Sequence, residues 1–387
     1  MKATVNTKLL QEALEFVVAE KGSLPIIDKT VAIRAKGDSV IVESNDLEMI
    51  MQATIPAVVN EEGGAVVSKA MLKHYISGSG DTVLHCREKD NVRPKDKKKD
   101  AKPEVAGRLH VSTEESQGWI EDRGIEQYPV WKDAKWKKFA AFDGEAVDHL
   151  ANCVTPFSAR SSLRPVLSGM HLTQRVACCT DSYRLCEFVH DSKAKEADAY
   201  IVPVKPFPLI HKHAKSVNVL VEKGKQFVRY ELGDLRVTDS PIEKVIMTRV
   251  IEGKFPTYRP VLLKKTEIKA VLLVDREAML KAIKRLHPVA KDVNNNVTYL
   301  VKKGEKTMTM RSKHHSAAME VIVKLPEPAA DDIRIALSSV YVTTVMEALS
   351  TKNVEFEFQD AVHPAQFRMP DDRKTTVIVM PLRMQED

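Results

Sequence analysis

The chain has 387 residues, of which 43% are hydrophobic and 29% are charged, and its formal net charge at pH 7 is +6. This length is enough for two or three domains, each of which can bury its own core. Since no apolar run approaches the roughly 18 residues that a membrane span requires, we expect no membrane partner.

Five cysteines stand at positions 86, 153, 178, 179 and 186, and no two of them have the C-x-x-C spacing of a zinc site. The N-terminal residues Met1–Val5 lack the continuous apolar stretch of a secretory signal. We therefore expect a cytoplasmic protein with reduced thiols, no bound metal and no cofactor.

A short apolar strand, a helix-capping residue and an amphipathic helix occur in this order three times. The strands are predicted at residues 3–5, 139–142 and 270–274. Each is followed by a side-chain oxygen that can accept from the free N–H groups of a first helical turn, at Asn6 or Thr7, Asp143 and Asp275. Apolar residues then recur at helical spacing, at Leu10, Leu14, Val17, Val147, Leu150, Val154, Met279, Ile283 and Leu286.

A strand, a helix and a second strand follow each of these units. The first strand is predicted at 64–67, 199–202 and 333–337, and the second at 82–86, 217–222 and 354–358. The intervening segments begin at positions 68, 203 and 338, which are 135 residues apart. Periodicity at this scale indicates one structural unit copied along the chain. The sequence therefore predicts an α+β protein of three tandem homologous domains, at 1–134, 135–263 and 264–387.

The middle domain has three prolines where its second helix should begin, at Pro203, Pro206 and Pro208. Proline inside a helix costs about 3 kcal/mol. We therefore predict that this helix starts late, near Pro208.

The segment 93–102 contains six cations and two anions and so carries most of the net charge. It has no apolar periodicity, which predicts a solvated loop within a basic insertion at 88–107. Two interpretations stay open: a tolerated surface insertion, or an arm that touches nucleic acid.

Catalytic motifs are missing from the sequence. It has neither a G-x-x-x-x-G-K-[ST] loop nor a G-x-G-x-x-G turn after a strand, so nothing supports nucleotide binding. The histidine clusters at 211–213 and 314–315 lack the accompanying ligands of a metal site. A cysteine-dependent hydrolase built on Cys178, Cys179 or Cys186 stays open as an alternative. Buried packing is the favoured interpretation of these thiols, with at least one of the adjacent pair facing the core.

Several phrases of the sequence resemble a known family, the bacterial DNA sliding clamp, which is the β subunit of the polymerase III holoenzyme. The strongest are the residues at 163–170 (LRPVLSGM), 180–185 (TDSYRL), 252–259 (EGKFPTYR) and 377–384 (VIVMPLRM). Weaker matches lie at 24–26 and 45–48. The resemblance covers essentially the whole chain, and it independently implies three repeated domains.

The resemblance implies a ring-forming homodimer. Two protomers would join head to tail around double-stranded DNA, with helices on the inner face and antiparallel sheets outside. The protein would then be a processivity factor with no catalytic site. The edges that meet in the dimer are expected to include Leu72, Tyr75, Leu109 and Val111 in the first domain, and His287 and Val289 in the third.

A clamp holds DNA without reading its sequence, so the implied contacts are cations directed at phosphates. The helices supply most of the expected contacts, and Lys21 and Arg164 are added by resemblance alone. The full set is Lys21, Lys73, His149, Arg164, Lys205, Lys212, Lys215, Lys281, Lys284 and Arg285. Each of these could instead be an ordinary surface charge.

The family also implies a groove that receives short linear peptides from the DNA polymerase and the clamp loader. Carried over by position, its residues are Leu167, Thr180, Ser182, Tyr183, Arg184, Leu185, Pro256, Val261, Ile378, Met380, Pro381, Leu382 and Arg383. Binding on the order of −8 kcal/mol would suit a site that several enzymes share. A clamp-like decoy that regulates replication is the second alternative, since the sequence is divergent.

Overall fold

The structure, a computed structural model, describes residues 1–19, 23–88, 107–129, 134–160, 163–191, 193–194, 198–224, 226–233 and 241–384. Lys21 and the basic segment 93–102 lie outside the described residues. The predictions made for them therefore stay predictions.

The described residues form strands and helices in an α+β arrangement. The strands are β1 (Lys2–Asn6), β2 (Thr30–Lys36), β3 (Ser39–Asn45), β4 (Met49–Glu61), β5 (Gly63–Ser68), β6 (Asp81–Glu88), β7 (Gly107–Ser112), β8 (Gln117–Asp122), β9 (Trp136–Phe142), β10 (Gly169–Thr173), β11 (Val176–Thr180), β12 (Arg184–Val189), β13 (Ala199–Pro203), β14 (Ser216–Glu222), β15 (Phe227–Gly233), β16 (Glu243–Arg249), β17 (Ala270–Asp275), β18 (Asn296–Val301), β19 (Thr307–His314), β20 (Ala317–Lys324), β21 (Ile333–Ser338), β22 (Asn353–Phe358), β23 (Ala365–Met369) and β24 (Asp372–Val379). The α-helices are α1 (Thr7–Phe16), α2 (Lys69–Tyr75), α3 (Gly144–His149), α4 (Pro206–His213), α5 (Arg276–Ala290) and α6 (Ser339–Ala348).

The chain divides into two compact units. Unit 1 comprises Met1–Gly144 and Leu209–Val250, and unit 2 comprises Glu145–Pro208 and Ile251–Asp387. This division cuts through the predicted middle domain, so the three-domain boundaries stay a prediction.

All strand pairs in the two units are antiparallel, as expected. In unit 1 the sheet order is β8-β7-β6-β1-β4-β16-β15-β14-β9, with β2 and β3 beside β4 and β5 beside β2. Unit 2 contains an eight-stranded sheet, β13-β10-β11-β12-β24-β23-β22-β17, and a four-stranded sheet, β20-β19-β18-β21. In strand β1 alternate side chains point into a core, so that Ala3 and Val5 are buried.

The repeated strand, cap and helix are confirmed at both ends of the chain. The Asn6 side chain accepts hydrogen bonds from the Lys8 and Leu9 N–H groups at 3.1 and 3.3 Å. Asp275 accepts from the Ala278 N–H at 2.8 Å. These carboxamide and carboxylate oxygens satisfy the free donors that every helix leaves in its first turn. In the middle repeat the α-helix is short and continues as a π-helical turn over Leu150–Val154.

The predicted late start of the middle helix was wrong by two residues. Helix α4 begins at Pro206 and includes Pro208. Both prolines fall within the first three helical positions, where the N–H groups have no acceptor inside the helix. A missing N–H therefore costs little at these positions, and the fixed proline φ suits them.

Along the described part of the chain, no helix is both long enough and apolar enough to cross a membrane.

Candidate functional site

Two segments almost 200 residues apart in sequence meet in unit 2. Strand β12 pairs with β24, so that Arg184 lies opposite Val379 and Leu185 opposite Ile378. The ladder continues past the strand, where the Met380 N–H donates to the Tyr183 carbonyl at 2.8 Å. The phrases TDSYRL and VIVMPLRM are thereby brought side by side on one rigid sheet.

The turn that leads into β12 is held by its own polar side chains. Asp181 accepts from the N–H groups of Tyr183 and Arg184 at 2.9 and 3.0 Å. The Thr180 hydroxyl donates to the Arg184 carbonyl at 2.7 Å and accepts from the Ser182 N–H at 3.1 Å. Ser182 has φ 81°, in the left-handed region that such a turn requires. The turn leaves the Tyr183 ring exposed at the surface.

Arg184 is fixed from several directions. Its Nε donates to Asp181 at 2.8 Å and its Nη1 to the Thr344 hydroxyl at 2.6 Å. The guanidinium also lies 5.1 Å from the ring centre of Tyr341 and 5.5 Å from that of Phe157. A guanidinium held in this way presents a preorganised positive charge beside the turn.

A second side of the site comes from residues 255–263, which we call the wall segment. It contains the 3-10 turn Arg259–Val261, closed by a bond from the Val261 N–H to the Tyr258 carbonyl at 3.0 Å. Its apolar side chains belong to a cluster with strands β11, β12, β13 and β24. The buried members are Cys178, Leu185, Ile201, Phe255, Tyr258 and Ile378.

The turn, the end of β24 and the wall segment enclose a cavity of about 220 Å³. Nine of the thirteen predicted groove residues line it: Thr180, Ser182, Tyr183, Arg184, Leu185, Pro256, Val261, Ile378 and Met380. Three more lining residues are Arg164, Thr257 and Tyr258. The predicted groove does not include these three, although Thr257 and Tyr258 lie within the family-like segment 252–259.

Four predicted groove residues are not among those that line this cavity. Leu167 is buried in the 3-10 turn Pro165–Ser168. Pro381 is half-buried. The Leu382 N–H donates to the Ala336 carbonyl, and Asn296 donates to the carbonyl of Arg383. Residues 382–383 thus leave the cavity and lie beside the four-stranded sheet.

Most of the predicted DNA contacts in the described residues are exposed. These are Lys73, Lys205, Lys212, Lys281, Lys284 and Arg285, and Lys215 is half-buried. Two of the cations have acidic neighbours: Lys73 lies 3.8 Å from Glu15, and Lys284 lies 3.3 Å from Glu347. Such exposed pairs are weak and leave the cations available to a polyanion.

Two predicted DNA contacts occupy other environments. Arg164 lines the cavity described above, and its contact with DNA stays a prediction. His149 is half-buried, with Nε2 2.9 Å from the Thr375 hydroxyl and its ring centre 4.3 Å from that of Phe188. Hydrogen bonding to Cys153 and nearby carboxylates raise the pKa of His149 against the opposing effect of burial. These contacts give His149 a packing role.

Three of the expected dimer residues pack inside their own unit. Leu72, Leu109 and Val111 are fully buried in unit 1, so their side chains have no surface to offer a partner. This corrects their assignment, because an apolar pattern alone does not separate an interface from a core. Tyr75 packs over Gly118, where a Cβ would lie only 2.2 Å from the ring. In unit 2, Val289 is buried and His287 contacts the Ser339 hydroxyl at 3.1 Å.

Two edge strands expose apolar side chains that the sequence patterns did not single out. Strand β8 ends the unit 1 sheet and exposes Trp119, over which the Arg108 guanidinium stacks at 4.0 Å. Strand β20 ends the four-stranded sheet and exposes Met319 and Ile322. Open edges with apolar side chains are ready sites for pairing with another strand. In the sequence, the signal for such an edge is a strand whose outward-facing positions are apolar.

The three cysteines named in the hydrolase alternative, Cys178, Cys179 and Cys186, are all buried. Cys178 and Cys179 are both fully buried, because β11 is covered on both faces, and burial raises the pKa of each thiol. The Cys153 sulfur lies 3.9 Å from that of Cys186, and this contact lowers the pKa of Cys153. Cys153 is only 2% exposed, so a substrate cannot reach it. Within the described residues, no group of three or more His, Cys, Asp or Glu is arranged to hold a metal.

Comparisons with known proteins agree with the fold described above. Residues 263–383 match the family model for the DNA polymerase III beta subunit, C-terminal domain. The chain is 22% identical to the beta sliding clamp of Caulobacter vibrioides over 402 aligned positions, which cover 99% of this chain and all of the relative.

Solved structures share the fold over the same length. A Caulobacter crescentus beta sliding clamp superposes with a TM-score of 0.79 at 21% identity and covers 99% of both chains. A Bartonella birtlesii sliding clamp bound to griselimycin also gives 0.79, at 18% identity, over 99% of this chain and 100% of that one. Residues 263–383 thus match the DNA polymerase III beta subunit family, and the whole chain resembles bacterial β sliding clamps in sequence and in fold.

Proposed function

We propose that two copies of this chain close around duplex DNA and tether replication proteins through the cavity of unit 2. The observation that carries this proposal is the convergence of three distant segments on one small apolar cavity. Nothing in the mechanism requires a reactive group. A closed ring stays on DNA because of its topology, even when each contact with the duplex is weak.

The cavity suits a short hydrophobic anchor of a linear peptide. Its walls are rigid strands and a hydrogen-bonded turn, so little ordering is required of the protein when a peptide docks. The peptide itself loses conformational entropy, which keeps binding weak and exchangeable. Tethering then raises the local concentration of a bound polymerase at the primer end, which makes synthesis processive. We expect griselimycin, the ligand of the Bartonella clamp, to compete for this cavity.

The ring is proposed to close through sheet edges. Strand β8 of one copy would lie beside β20 of the other, which continues an antiparallel sheet across the subunits and covers Trp119, Met319 and Ile322. This places the contact at exposed edge residues and replaces the buried positions expected from the sequence. Three domains per chain would then give six around the duplex.

We predict that single changes in the α5 cations weaken DNA binding uniformly across sequences. Because a ring of two copies would lose two phosphate contacts, Lys281→Gln or Arg285→Gln should each reduce the slope of log K against log salt by roughly 2. The measurement is fluorescence anisotropy with a labelled duplex over a range of salt concentrations. Lys303→Gln removes an equally exposed cation from a turn next to the four-stranded sheet and serves as the control. An equal loss in that variant would contradict a DNA-facing role for α5.

Removing an acidic residue next to these cations should have the opposite effect on DNA affinity. Glu347 lies 3.3 Å from the Lys284 ammonium and would repel phosphate. Glu347→Gln should therefore tighten DNA binding modestly in the same assay. Unchanged binding in this variant would place α6 away from the duplex, and weaker binding would contradict the repulsive role of Glu347.

The function as a whole is tested by DNA synthesis on a primed circular template with the cognate polymerase and clamp loader. Added protein should lengthen the products made in one binding event. A protein that binds the polymerase and inhibits synthesis would instead support the decoy. Thiol-dependent turnover of a substrate would support the hydrolase.

A further inference from the structure

A carboxylate lies beneath the cavity, in surroundings that are otherwise largely apolar. Glu187 is in the middle of β12 and is only 9% exposed. Its cross-strand neighbours are Cys178 on one side and Thr376 on the other. Glutamate is seldom buried to this degree unless it has a hydrogen-bond partner, so its presence in a core strand needs a specific reason.

The partner of Glu187 is the wall segment. The Tyr258 hydroxyl donates to Glu187 Oε2 at 2.6 Å, a short bond of the kind that a carboxylate acceptor forms. Tyr258 also lines the cavity, whereas Glu187 is not among the lining residues. Burial, together with the negative charge of Glu187, raises the pKa of Tyr258. The phenol therefore remains a donor throughout the physiological pH range.

Two buried side chains of the eight-stranded sheet form hydrogen bonds with the wall segment. Residues 255–263 contain no strand, and only the turn at 259–261 is regular. A second buried side chain, Gln366 of β23, accepts from the Leu263 N–H at 3.0 Å at the far end of the segment. Apolar contacts in the cluster hold the segment down but are not directional. The hydrogen bond from Tyr258 to Glu187 is directional, and it fixes the middle of the wall segment, which lines the cavity.

We propose that Glu187 is a positioning residue for partner binding: through Tyr258 it holds the 255–263 wall in the conformation that accepts a peptide. This inference rests on the proposed function of the cavity as a peptide site. It adds a residue that does not touch the ligand and whose role is to keep one side of the cavity in place. Without that bond, the Tyr258 ring and the adjacent Pro256 would sample several positions, and a peptide would have to order them.

Peptide affinity is the first test. Tyr258→Phe and Glu187→Val should each weaken binding of a fluorescein-labelled peptide from the cognate polymerase about fivefold, the usual effect of losing one ordered hydrogen bond. Glu187→Gln keeps an acceptor oxygen and should restore affinity to within about twofold. The double variant should be no weaker than either single variant, because both remove the same bond.

Tyr299→Phe is the matched control. It removes a fully buried hydroxyl of unit 2 that has no hydrogen-bond partner in the described structure. Its affinity for the peptide should be unchanged. Additive losses in the double variant, or no rescue by glutamine, would overturn the assignment.

Hydrogen exchange tests the positioning without any peptide. In Glu187→Val and Tyr258→Phe the amides of Val261 and Leu263 should exchange faster, while those of β12 and β24 keep their protection. Unchanged exchange in the wall would refute the inference even if affinity fell. A wild-type protein that binds no polymerase peptide, with the wall amides still responding, would instead refute the proposed function and leave the structural link intact.

Discussion

Met380→Asp should lower the affinity of the protein for a polymerase peptide at least a hundredfold, or about 3 kcal/mol, because a carboxylate in the cavity must lose its water when the peptide docks. Met380 lines the cavity, as Ile378 does. The variant keeps the hydrogen bond from the backbone N–H of residue 380 to the Tyr183 carbonyl. Fluorescence anisotropy with a labelled peptide from the cognate polymerase measures the effect. The mass of the assembled protein should not change.

Met384→Asp is the matched control, since it places the same charge four residues further along the same terminal segment. Met384 is exposed and is not one of the residues that line the cavity. Its affinity for the peptide should stay within about twofold of wild type, as is usual for surface changes. If Met380→Asp bound the peptide normally, the partner site would lie elsewhere on the molecule.

Ile322→Glu should break the ring into monomers. The side chain is 64% exposed on the open edge of β20, where a second copy is proposed to pair. Burial of an unpaired carboxylate costs about 3 kcal/mol, and a ring of two chains contains this contact twice. Sedimentation should report half the wild-type mass, and retention on nicked circular DNA should be lost.

Val58→Glu controls for the exposed charge itself. Val58 is 66% exposed on β4, a strand that already has partners on its sheet. This variant should remain dimeric and should stay on circular DNA until the DNA is cut. A dimeric Ile322→Glu protein would show that β20 is not the closing edge.

The cavity and the dimer edge differ in how well their residues can be predicted from the sequence. The cavity was largely predictable because its residues come from short phrases that carry the family resemblance. The pairing of β12 with β24 brings these phrases together. The same resemblance could have predicted Thr257 and Tyr258 as cavity residues, because they lie in one of these phrases. For Arg164 the resemblance implies a DNA contact instead.

Three residues predicted for the dimer edge, Leu72, Leu109 and Val111, are buried in the core of unit 1, and the reason is physical. Leu109 and Val111 are apolar and alternate along a strand, which fits a core position and an interface position equally well. Only the sheet order shows that β7 is covered by β8, and that β8 is the strand left open. Sequence patterns describe which face of a strand is apolar, but they do not show which strand is last in a sheet.

Glu187 illustrates the same limit from the opposite direction. A glutamate between Cys186 and Phe188 in a strand predicts, if anything, an exposed side chain. Its partner Tyr258 is 71 residues away, and no local rule links the two. Helix starts are easier, as Asn6 and Asp275 show, because a cap acts on N–H groups two or three residues away. The α4 start was missed because first-turn proline was counted as interior.

The sequence by itself determined the α+β class and the repeated strand, cap and helix, because these depend on periodicity and on interactions between near neighbours. Most residues of the cavity were predicted from the family resemblance of short phrases, not from periodicity. The tertiary structure alone decided which apolar strands are covered, where the chain end leaves the cavity, and which buried carboxylate holds its wall. Those outcomes depend on contacts between residues far apart in the chain, and such contacts exist only once the sheets have assembled.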